Sequence, residues 1–223
     1  MTYDGFLSYI AAMSNRAWSE QWLGEVPYAE ALVYQKQMAD VVQRQGRGIV
    51  LGLEHPRVIT LGLRSKNELL RPLSEIPVIP TNRGGQVTLH NPGQLVIYPI
   101  IPIRKWGLGV REYVEMLLQV SENFLRSCNI TIVSSNNGIY SQNGKIASIG
   151  INIKNGIATH GISINVSNHL ADFSAIAPCG VQNQPMDRVA EYRVLSLPEA
   201  FQAWCNEFEG IMATRLTAWT ASP

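Results

Sequence analysis

The sequence is poor in charge and carries no long apolar run, and each shortage excludes a class of function. Only 16% of its 223 residues are charged, the formal net charge is +1, and its lysines and arginines are scattered. Such a composition lacks the basic patch by which proteins bind nucleic acid. No stretch approaches the roughly 18 apolar residues of a membrane span, and the N-terminus lacks a secretory signal. We therefore expect a cytoplasmic protein with neither a nucleic-acid nor a membrane partner.

Cysteine is also scarce, and the spacing of the three residues argues against disulfide bonds and a metal site. Cys128, Cys179 and Cys205 are widely spaced and none forms a CxxC pair. This pattern is typical of reduced thiols and predicts neither a disulfide framework nor a metal site. Cys128 and Cys205 lie on or beside amphipathic helical patterns, where small cysteines are commonly buried. Cys179 differs, because Pro178 and Gly180 place it in a turn, where a nucleophile is accessible.

The apolar residues that are present predict helices and short strands in one domain. Helical spacing predicts helices over residues 27–44, 109–127 and from Pro198 onward. Short β-rich runs predict strands over 48–53 and 57–62, and a strand, turn and strand over 85–103. We find no linker or repeat, so we expect a single α+β domain over residues 1–223 with a largely antiparallel sheet flanked by helices. Residues 1–20 are expected to be a loosely ordered leader.

A β-hairpin is predicted around Asn155-Gly156, a dipeptide that favours a type I′ turn. When residues are paired outward from this turn, Gly150 lies opposite Gly161 and Ser148 lies opposite Ser163. Their side chains share a face that is small and polar. Alternation turns the isoleucines and alanines to a core face, which also receives Lys145 and His160. Opposed glycines weaken a strand unless something approaches its backbone closely. The sequence leaves open whether this face meets a ligand, another packed segment or plain solvent.

A glycine-rich turn, TNRGGQVTLHNPGQ at residues 81–94, is a second candidate for a binding site. Its paired glycines allow close approach of backbone to ligand, and the rigid donor fork of Arg83 can bind a carbonyl or carboxylate. His90 is either a structural hydrogen-bonding residue or a base. The phosphate-binding, dinucleotide-binding and hydrolase motifs GxxxxGK[ST], GxGxxG and GxSxG are absent.

Lys145 is the candidate activator of Cys179. An ordinary thiol has a pKa near 8.5, so only about a few per cent is thiolate at pH 7. Lowering that pKa by about two units requires roughly 2.7 kcal/mol of preferential thiolate stabilisation, which one nearby ammonium can supply. A lysine on a mainly apolar strand face also needs a partner or a water-lined cleft.

Taken together, WLGEVPYAEALVYQ, LEHPRVITLG, TNRGGQVTLHNPGQ, GKIASIG, THGISINV and IAPCG resemble the lipoyl(octanoyl) transferase family, also called lipoate-protein ligase B. The resemblance implies a fold related to biotin and lipoate protein ligases. It also implies transfer of an octanoyl group from acyl carrier protein to a lysine of lipoyl domains, in 2-oxoacid dehydrogenases and the glycine cleavage H protein. The expected reaction needs no cofactor.

The same resemblance assigns roles to individual residues. Cys179 matches the cysteine that carries the acyl thioester, and Lys145 the lysine that activates it. The substrate-binding positions it implies are Arg83, Gly84, Gly85, Gln86, Val87, Thr88, Leu89, His90, Ser148, Ile149, Gly150, Gly161, Ile162 and Ser163. His160 and Asn165 fall in the same HGxxxN pattern. Asn91 and Ser163 depart from the family, which usually has glycine and alanine there.

Two other functions remain open at this point. An ATP-dependent lipoate or biotin ligase on the same fold would activate a free acid and need no nucleophilic cysteine. A noncatalytic acyl-binding protein would use the hairpin face to hold a chain, and Cys179 would merely pack.

Overall fold

The structure, a computed structural model, describes residues 17–66, 76–135, 138–176 and 184–220. Within these residues the α-helices are α1 (Tyr28–Gln45), α2 (Val110–Ser127) and α3 (Leu197–Thr220). The strands are β1 (Trp18–Glu25), β2 (Gly48–Glu54), β3 (Val58–Leu61), β4 (Val78–Pro80), β5 (Val87–His90), β6 (Gln94–Ile100), β7 (Ile132–Ser135), β8 (Gly138–Ser141), β9 (Lys145–Lys154) and β10 (Ile157–Asn165).

The strands form one large and one small sheet. The seven-stranded sheet has the order β1-β2-β6-β10-β9-β8-β7, and the three-stranded sheet has the order β4-β3-β5. Only the β1–β2 and β3–β4 pairs are parallel among the described strands. The expected α+β fold with a largely antiparallel sheet is therefore confirmed.

The helices cover both faces of the large sheet because each has an apolar stripe. On α2, Tyr113, Leu117, Val120 and Phe124 recur at helical spacing and pack with α3 into the main core. On α1, Met38, Val41 and Val42 pack on the opposite face, against β2 and β6. Gly46 then ends α1 in the left-handed conformation that glycine accepts without strain, at φ 70°.

The chain before α1 departs from the expected leader. Residues 18–20 belong to β1, which pairs with β2 from Trp18 to Glu25. Trp18 is buried and its ring meets the edge of Phe208 on α3 at a centroid distance of 4.8 Å. The end of that segment is therefore an edge strand held by the core, while residues 1–16 lie outside the described part of the chain.

Cys128 and Cys205 are core residues, as the sequence predicts. Both are buried in the main apolar cluster. Burial raises the pKa of each thiol above its ordinary value, so both remain protonated at neutral pH.

Candidate functional site

An open cleft lies where the β9–β10 hairpin faces β6 and the glycine-rich turn before β5. It encloses about 720 Å³ of space, including its open mouth. Its lining includes most of the predicted binding residues: Arg83, Gly85, Gln86, Val87, Thr88, His90, Lys145, Ser148, Ile149, Gly150, His160, Gly161, Ile162 and Ser163. The glycine-rich turn and both strands of the hairpin thus meet around one cavity. Their role in binding substrate stays a prediction.

Gly84, Leu89 and Asn165 do not line this cleft among the residues that the structure describes. Leu89 is fully buried in a separate apolar cluster with Ile59 and Phe173, because alternation along β5 turns it away from Thr88 and His90. Gly84 instead donates its backbone N–H to the carbonyl of Ile151 at 2.8 Å.

Lys145 lies in the cleft and not on the core face, which corrects the prediction from simple alternation. Ile139 pairs with Ala147 whereas Tyr140 pairs with Lys145, so Ile146 is an extra residue in β9. Such a bulge reverses the alternation beyond it. Ile146 and Ala147 therefore both enter the main core, and Lys145 lines the cavity while only 2% exposed.

The backbone of Lys145 is held by the chain that follows the Cys179 segment. Its N–H donates to the Pro185 carbonyl at 2.8 Å, and its carbonyl accepts the Asp187 N–H at 3.0 Å. The Gln184 side-chain amide donates to the Tyr140 hydroxyl at 2.9 Å, and the Lys145 ammonium is 5.8 Å from the Tyr140 ring centroid. Cys179 itself lies outside the described residues.

Asp187 anchors this contact, and sequence reasoning missed it. Its buried carboxylate accepts hydrogen bonds from the Ser141 hydroxyl and, at 2.7 Å, from the Tyr192 hydroxyl. Its carbonyl accepts the Asn165 side-chain amide at 3.0 Å. No motif surrounds Asp187 in MDRVAEY. Its structural role is visible only in the fold, where its carboxylate is buried and hydrogen-bonded.

Asn165 continues a hydrogen-bonded chain that ends at His90. The amide of Gln94 donates to the Asn165 side-chain oxygen at 2.9 Å, and the Gln94 oxygen lies 2.7 Å from Nδ1 of His90. Burial is the main cause that holds the pKa of His90 well below its usual range, and the neighbouring His55 lowers it further. His90 is therefore neutral, with Nδ1 donating to Gln94.

Arg83 supports the glycine-rich turn with much of its donor fork. Its Nε and Nη2 donate to the Thr60 hydroxyl at 3.1 and 2.8 Å, and Nη2 also donates to the Thr60 carbonyl at 2.8 Å. Nη1 donates to the Gly84 carbonyl at 3.1 Å. Arg83 thus borders the cleft while bracing the turn against β3, a role that the motif alone did not indicate.

The opposed glycines of the hairpin have packed neighbours, one of the alternatives left open by the sequence. A Cβ at Gly150 would lie 2.9 Å from the Gly84 carbonyl oxygen, and one at Gly161 would lie 2.2 Å from the Ile97 carbonyl oxygen. The glycines therefore let the turn and β6 approach the hairpin. The same approach narrows the cleft.

Three buried histidines lie close together: His90 and His160 line the cleft, and His55 lies beside it although it carried little signal in the sequence. His55 is fully buried, with Nδ1 2.6 Å from the Val26 carbonyl and Nε2 2.8 Å from the Tyr98 hydroxyl. Its ring centroid is 5.4 Å from that of His90. Burial lowers the pKa of His55 and of His160 to about 4, and for His160 the Arg83 charge adds to this.

His160 also leaves the core face on which alternation would place it. Its backbone is left-handed, with φ 57°, between Ala158 and Ile162, which both pack in the main core. The side chain consequently turns to the α1 side of the sheet, where Nε2 donates to the Asn82 side-chain oxygen at 2.8 Å.

The two departures from the family pattern have different consequences. Asn91 is buried, and its side-chain amide donates to the His169 carbonyl and to the Asp172 carboxylate at 2.9 Å each. Its φ is not positive, and the residue of this turn with a positive φ is Gly93, at 86°. The turn therefore does not need glycine at 91. Ser163 lines the cleft opposite Ser148 and adds a hydroxyl to its wall.

Comparison with known proteins gives a consistent picture. Residues 27–209 match the lipoyl protein ligase A/B catalytic domain. A curated octanoyltransferase of Halorhodospira halophila is 37% identical over 171 residues, covering 76% of this chain and 79% of the relative. One from Pseudomonas paraeruginosa is 36% identical over 196 residues, covering 87% of this chain and 89% of the relative. The solved structure of lipoate-protein ligase A bound with ATP has the same fold, with a TM-score of 0.72 at 16% identity, covering 90% of this chain and 86% of that one.

Proposed function

The chain belongs to the lipoyl protein ligase A/B catalytic domain family, and from this membership we propose that it is an octanoyltransferase. It moves an octanoyl group from acyl carrier protein to a lysine of a lipoyl domain. The 2-oxoacid dehydrogenases and the glycine cleavage H protein supply the acceptor domains, and the reaction takes place in the cytoplasm. In the described residues no helix is long and apolar enough to cross a membrane.

The observation that carries this proposal is the buried lysine at one end of the cleft. Lys145 lines the cavity, and its backbone is hydrogen-bonded to Pro185 and Asp187, which closely follow the Cys179 segment in the chain. An ammonium in such a site stabilises a neighbouring thiolate. This arrangement supports Cys179 as the nucleophile and Lys145 as the group that activates it.

The reaction proceeds in two exchanges at one carbonyl carbon. The Cys179 thiolate attacks the donor thioester, the bond to the carrier sulfur breaks, and the carrier leaves as a thiolate that takes up a proton. The acceptor lysine amine then attacks the acyl enzyme, forming the amide bond as the bond to the Cys179 sulfur breaks. The amine gives up one proton, for which the released Cys179 thiolate is the acceptor, since Lys145 is already an ammonium.

The cleft contributes binding and the exclusion of water. Ser148, Gly150 and Ser163 form the hairpin wall, and the glycine-rich turn forms the facing wall. Apolar surface from Val87, Ile149 and Ile162 stabilises an alkyl chain by about 0.8 kcal/mol per buried methylene.

Intact-mass measurement after incubation with octanoyl acyl carrier protein tests the mechanism. We expect a hydroxylamine-labile octanoyl adduct on the unaltered protein and on Cys128→Ala, which removes a core thiol, but none on Cys179→Ser. A thioester adduct that persists in Cys179→Ser, and that peptide mapping places on another cysteine, would reject Cys179 as the carrier of the acyl group. Product formation only from free octanoate and ATP would instead identify a ligase, and binding without transfer a noncatalytic protein.

A further inference from the structure

A short segment of the chain packs against the start of β9, where Lys145 lies. Residues 185–187 run parallel to that strand, with a β-bridge between Met186 and Lys145. The Lys145 N–H donates to the Pro185 carbonyl, and the Asp187 N–H donates to the Lys145 carbonyl. This contact, the 185–187 bridge, holds the backbone of the lysine on both of its polar groups.

The Asp187 side chain connects the same bridge to the turn that precedes Lys145. Its carboxylate accepts a hydrogen bond from the Ser141 hydroxyl at the end of β8. That hydroxyl in turn accepts the Asn143 N–H at 3.0 Å, within the turn that joins β8 to β9. One side chain therefore ties the bridge, the turn and the first residue of β9 together.

The orientation of the Asp187 carboxylate is fixed by donors on both of its oxygens. It is only 3% exposed, and Oδ2 accepts the Tyr192 hydroxyl at 2.7 Å as well as that of Ser141, while Oδ1 accepts the Arg188 N–H at 2.9 Å. A buried carboxylate is costly unless such donors surround it. An asparagine has a single accepting oxygen, so it cannot accept hydrogen bonds on both sides.

The side chain of Lys145 has little freedom to compensate for a movement of its backbone. It is buried, and its Cε lies so close to Gly138 on β8 that an added Cβ there would be 2.8 Å away. The bulge at Ile146 directs this packed side chain into the cleft. A shift of the strand at Lys145 is therefore passed on to the ammonium.

We propose that Asp187 is the positioning residue for Lys145: it fixes the bulged start of β9 and so holds the ammonium in the cleft. This proposal rests on the acyl transfer proposed above and gives Asp187 a part in keeping the nucleophile ionised. Charge attraction falls inversely with distance. At an effective dielectric constant of about 20, moving an ammonium from about 4 Å to about 5–6 Å from a thiolate lowers the thiolate fraction roughly four- to tenfold.

Asp187→Asn tests this role because it keeps the shape of the side chain. The measurement is the pH dependence of iodoacetamide alkylation at Cys179 in the full-length protein, without acyl donor. We expect the thiolate fraction at pH 7 to fall about four- to tenfold. Tyr192→Phe keeps the ring and removes one donor to Asp187, so it should move the profile in the same direction by less.

Asp172→Asn is the matched control for the loss of a hydrogen-bonded carboxylate. Asp172 accepts hydrogen bonds from the side chains of Arg57 and Asn91 and is half-buried. We expect this substitution to lower stability and to leave the alkylation profile in place.

A second background separates positioning from a direct effect of the Asp187 charge. Because Asp187 acts through Lys145, adding Asp187→Asn to Lys145→Met should leave the profile of Lys145→Met unchanged. A direct effect has the opposite sign, since removing a negative charge lowers the pKa of a nearby thiol and raises its thiolate fraction in both backgrounds. Such a rise would overturn the positioning role.

Amide hydrogen exchange follows the bridge without involving the thiol. We expect the N–H of Lys145 to exchange at least about tenfold faster in Asp187→Asn, because its bridge opens more often, while that of Ile162 in the middle of the large sheet keeps its rate. Unchanged exchange at Lys145 would overturn the proposal. So would an alkylation profile that moves in Lys145→Met but not in Asp187→Asn.

Failure of the proposed mechanism gives a different result. Faster exchange at Lys145 in Asp187→Asn, with a profile that does not move even in Lys145→Met, would support the positioning and overturn the activating role of the lysine. Absence of acyl transfer by the unaltered protein would overturn the octanoyltransferase proposal and leave the exchange result standing.

Discussion

At the scale of single residues, the bulge at Ile146 decides which way a cation points. Without the extra residue, Lys145 would share the core face with Ala147, and a buried ammonium there would have no polar environment. The irregularity in β9 moves the ammonium into the cleft, beside the chain that follows Cys179. Bulges commonly re-aim a side chain next to an active site.

Lys145→Met should therefore weaken the nucleophile without removing it. Methionine keeps most of the side-chain volume but no charge, so the pKa of the Cys179 thiol should rise toward its ordinary value near 8.5 and the thiolate fraction at pH 7 should fall about tenfold or more. The measurement is the pH dependence of iodoacetamide alkylation at Cys179, followed by peptide mass. Lys154→Met, at an exposed lysine on the same strand, is the control. An alkylation profile that does not move in Lys145→Met would reject the activating role.

The sequence predicted which residues gather at the site better than it predicted how they are oriented. Ser148 and Ser163 face one cavity because hairpin register follows from the turn residues, which are local, and Arg83 and His90 of the glycine-rich turn line the same cavity. The faces of Lys145 and His160 were wrong because a bulge and one left-handed residue reversed them. Neither irregularity has a signal in the local sequence pattern.

At the scale of elements, the hairpin is positioned by the absence of side chains at two opposed residues. A Cβ at Gly161 would lie 2.2 Å from the Ile97 carbonyl oxygen and 2.7 Å from the Pro99 ring on β6. Both neighbours belong to a central strand of the large sheet, which cannot move aside without disturbing the core. The distance between β6 and β10 therefore depends on glycine.

Gly161→Ala should destabilise the fold by about 1–3 kcal/mol through overpacking. Gly210→Ala is the matched control, because its Cβ would meet nothing within 4 Å on an exposed part of α3. The control should stabilise the protein by roughly 0.5–1 kcal/mol, since alanine favours a helix interior over glycine. Urea unfolding of the three proteins measures both changes. Equal stability of Gly161→Ala and wild type would show that β6 can move away.

Elements with strong periodicity were predicted and those held by distant contacts were not. The helices α1, α2 and α3 and the β9–β10 hairpin follow from apolar spacing and the Asn155-Gly156 turn. The strand β1 was not predicted, and its residues 18–20 were taken for the end of a leader, because the strand depends on pairing with β2 and on Trp18 packing against Phe208. Asp187 was missed for a similar reason, since its partners Ser141 and Asn165 lie far away in sequence.

At the scale of the whole molecule, the buried histidines make the stability of the fold depend on pH. His55 and His160 have pKa values of about 4 when folded, and burial also lowers that of His90. An unfolded histidine titrates near 6.5, so the unfolded chain binds more protons as the pH falls from 6.5 toward 4. Stability must therefore decrease through this window.

We expect the free energy of unfolding to fall by a few kcal/mol between pH 7 and pH 5, of which about 2 kcal/mol arises from each of the two histidines with a pKa of about 4. Urea unfolding at half-unit pH intervals measures the slope, and histidine ring NMR identifies the groups. This window lies above the ordinary pKa of most carboxylates. A free energy of unfolding that is constant from pH 7 to pH 5 would contradict the buried, neutral state of these histidines.

The left-handed backbone at His160 has a consequence for how this protein can change by mutation. The residues that such a backbone accepts most readily are glycine, asparagine and aspartate, and each is smaller than histidine. Larger replacements carry a conformational penalty at the same position. Random substitution at this position thus meets a one-way filter, in which the variants that fold best also have a smaller side chain in the lining of the cleft. Mutation of this codon would therefore widen the cleft more readily than it would fill it.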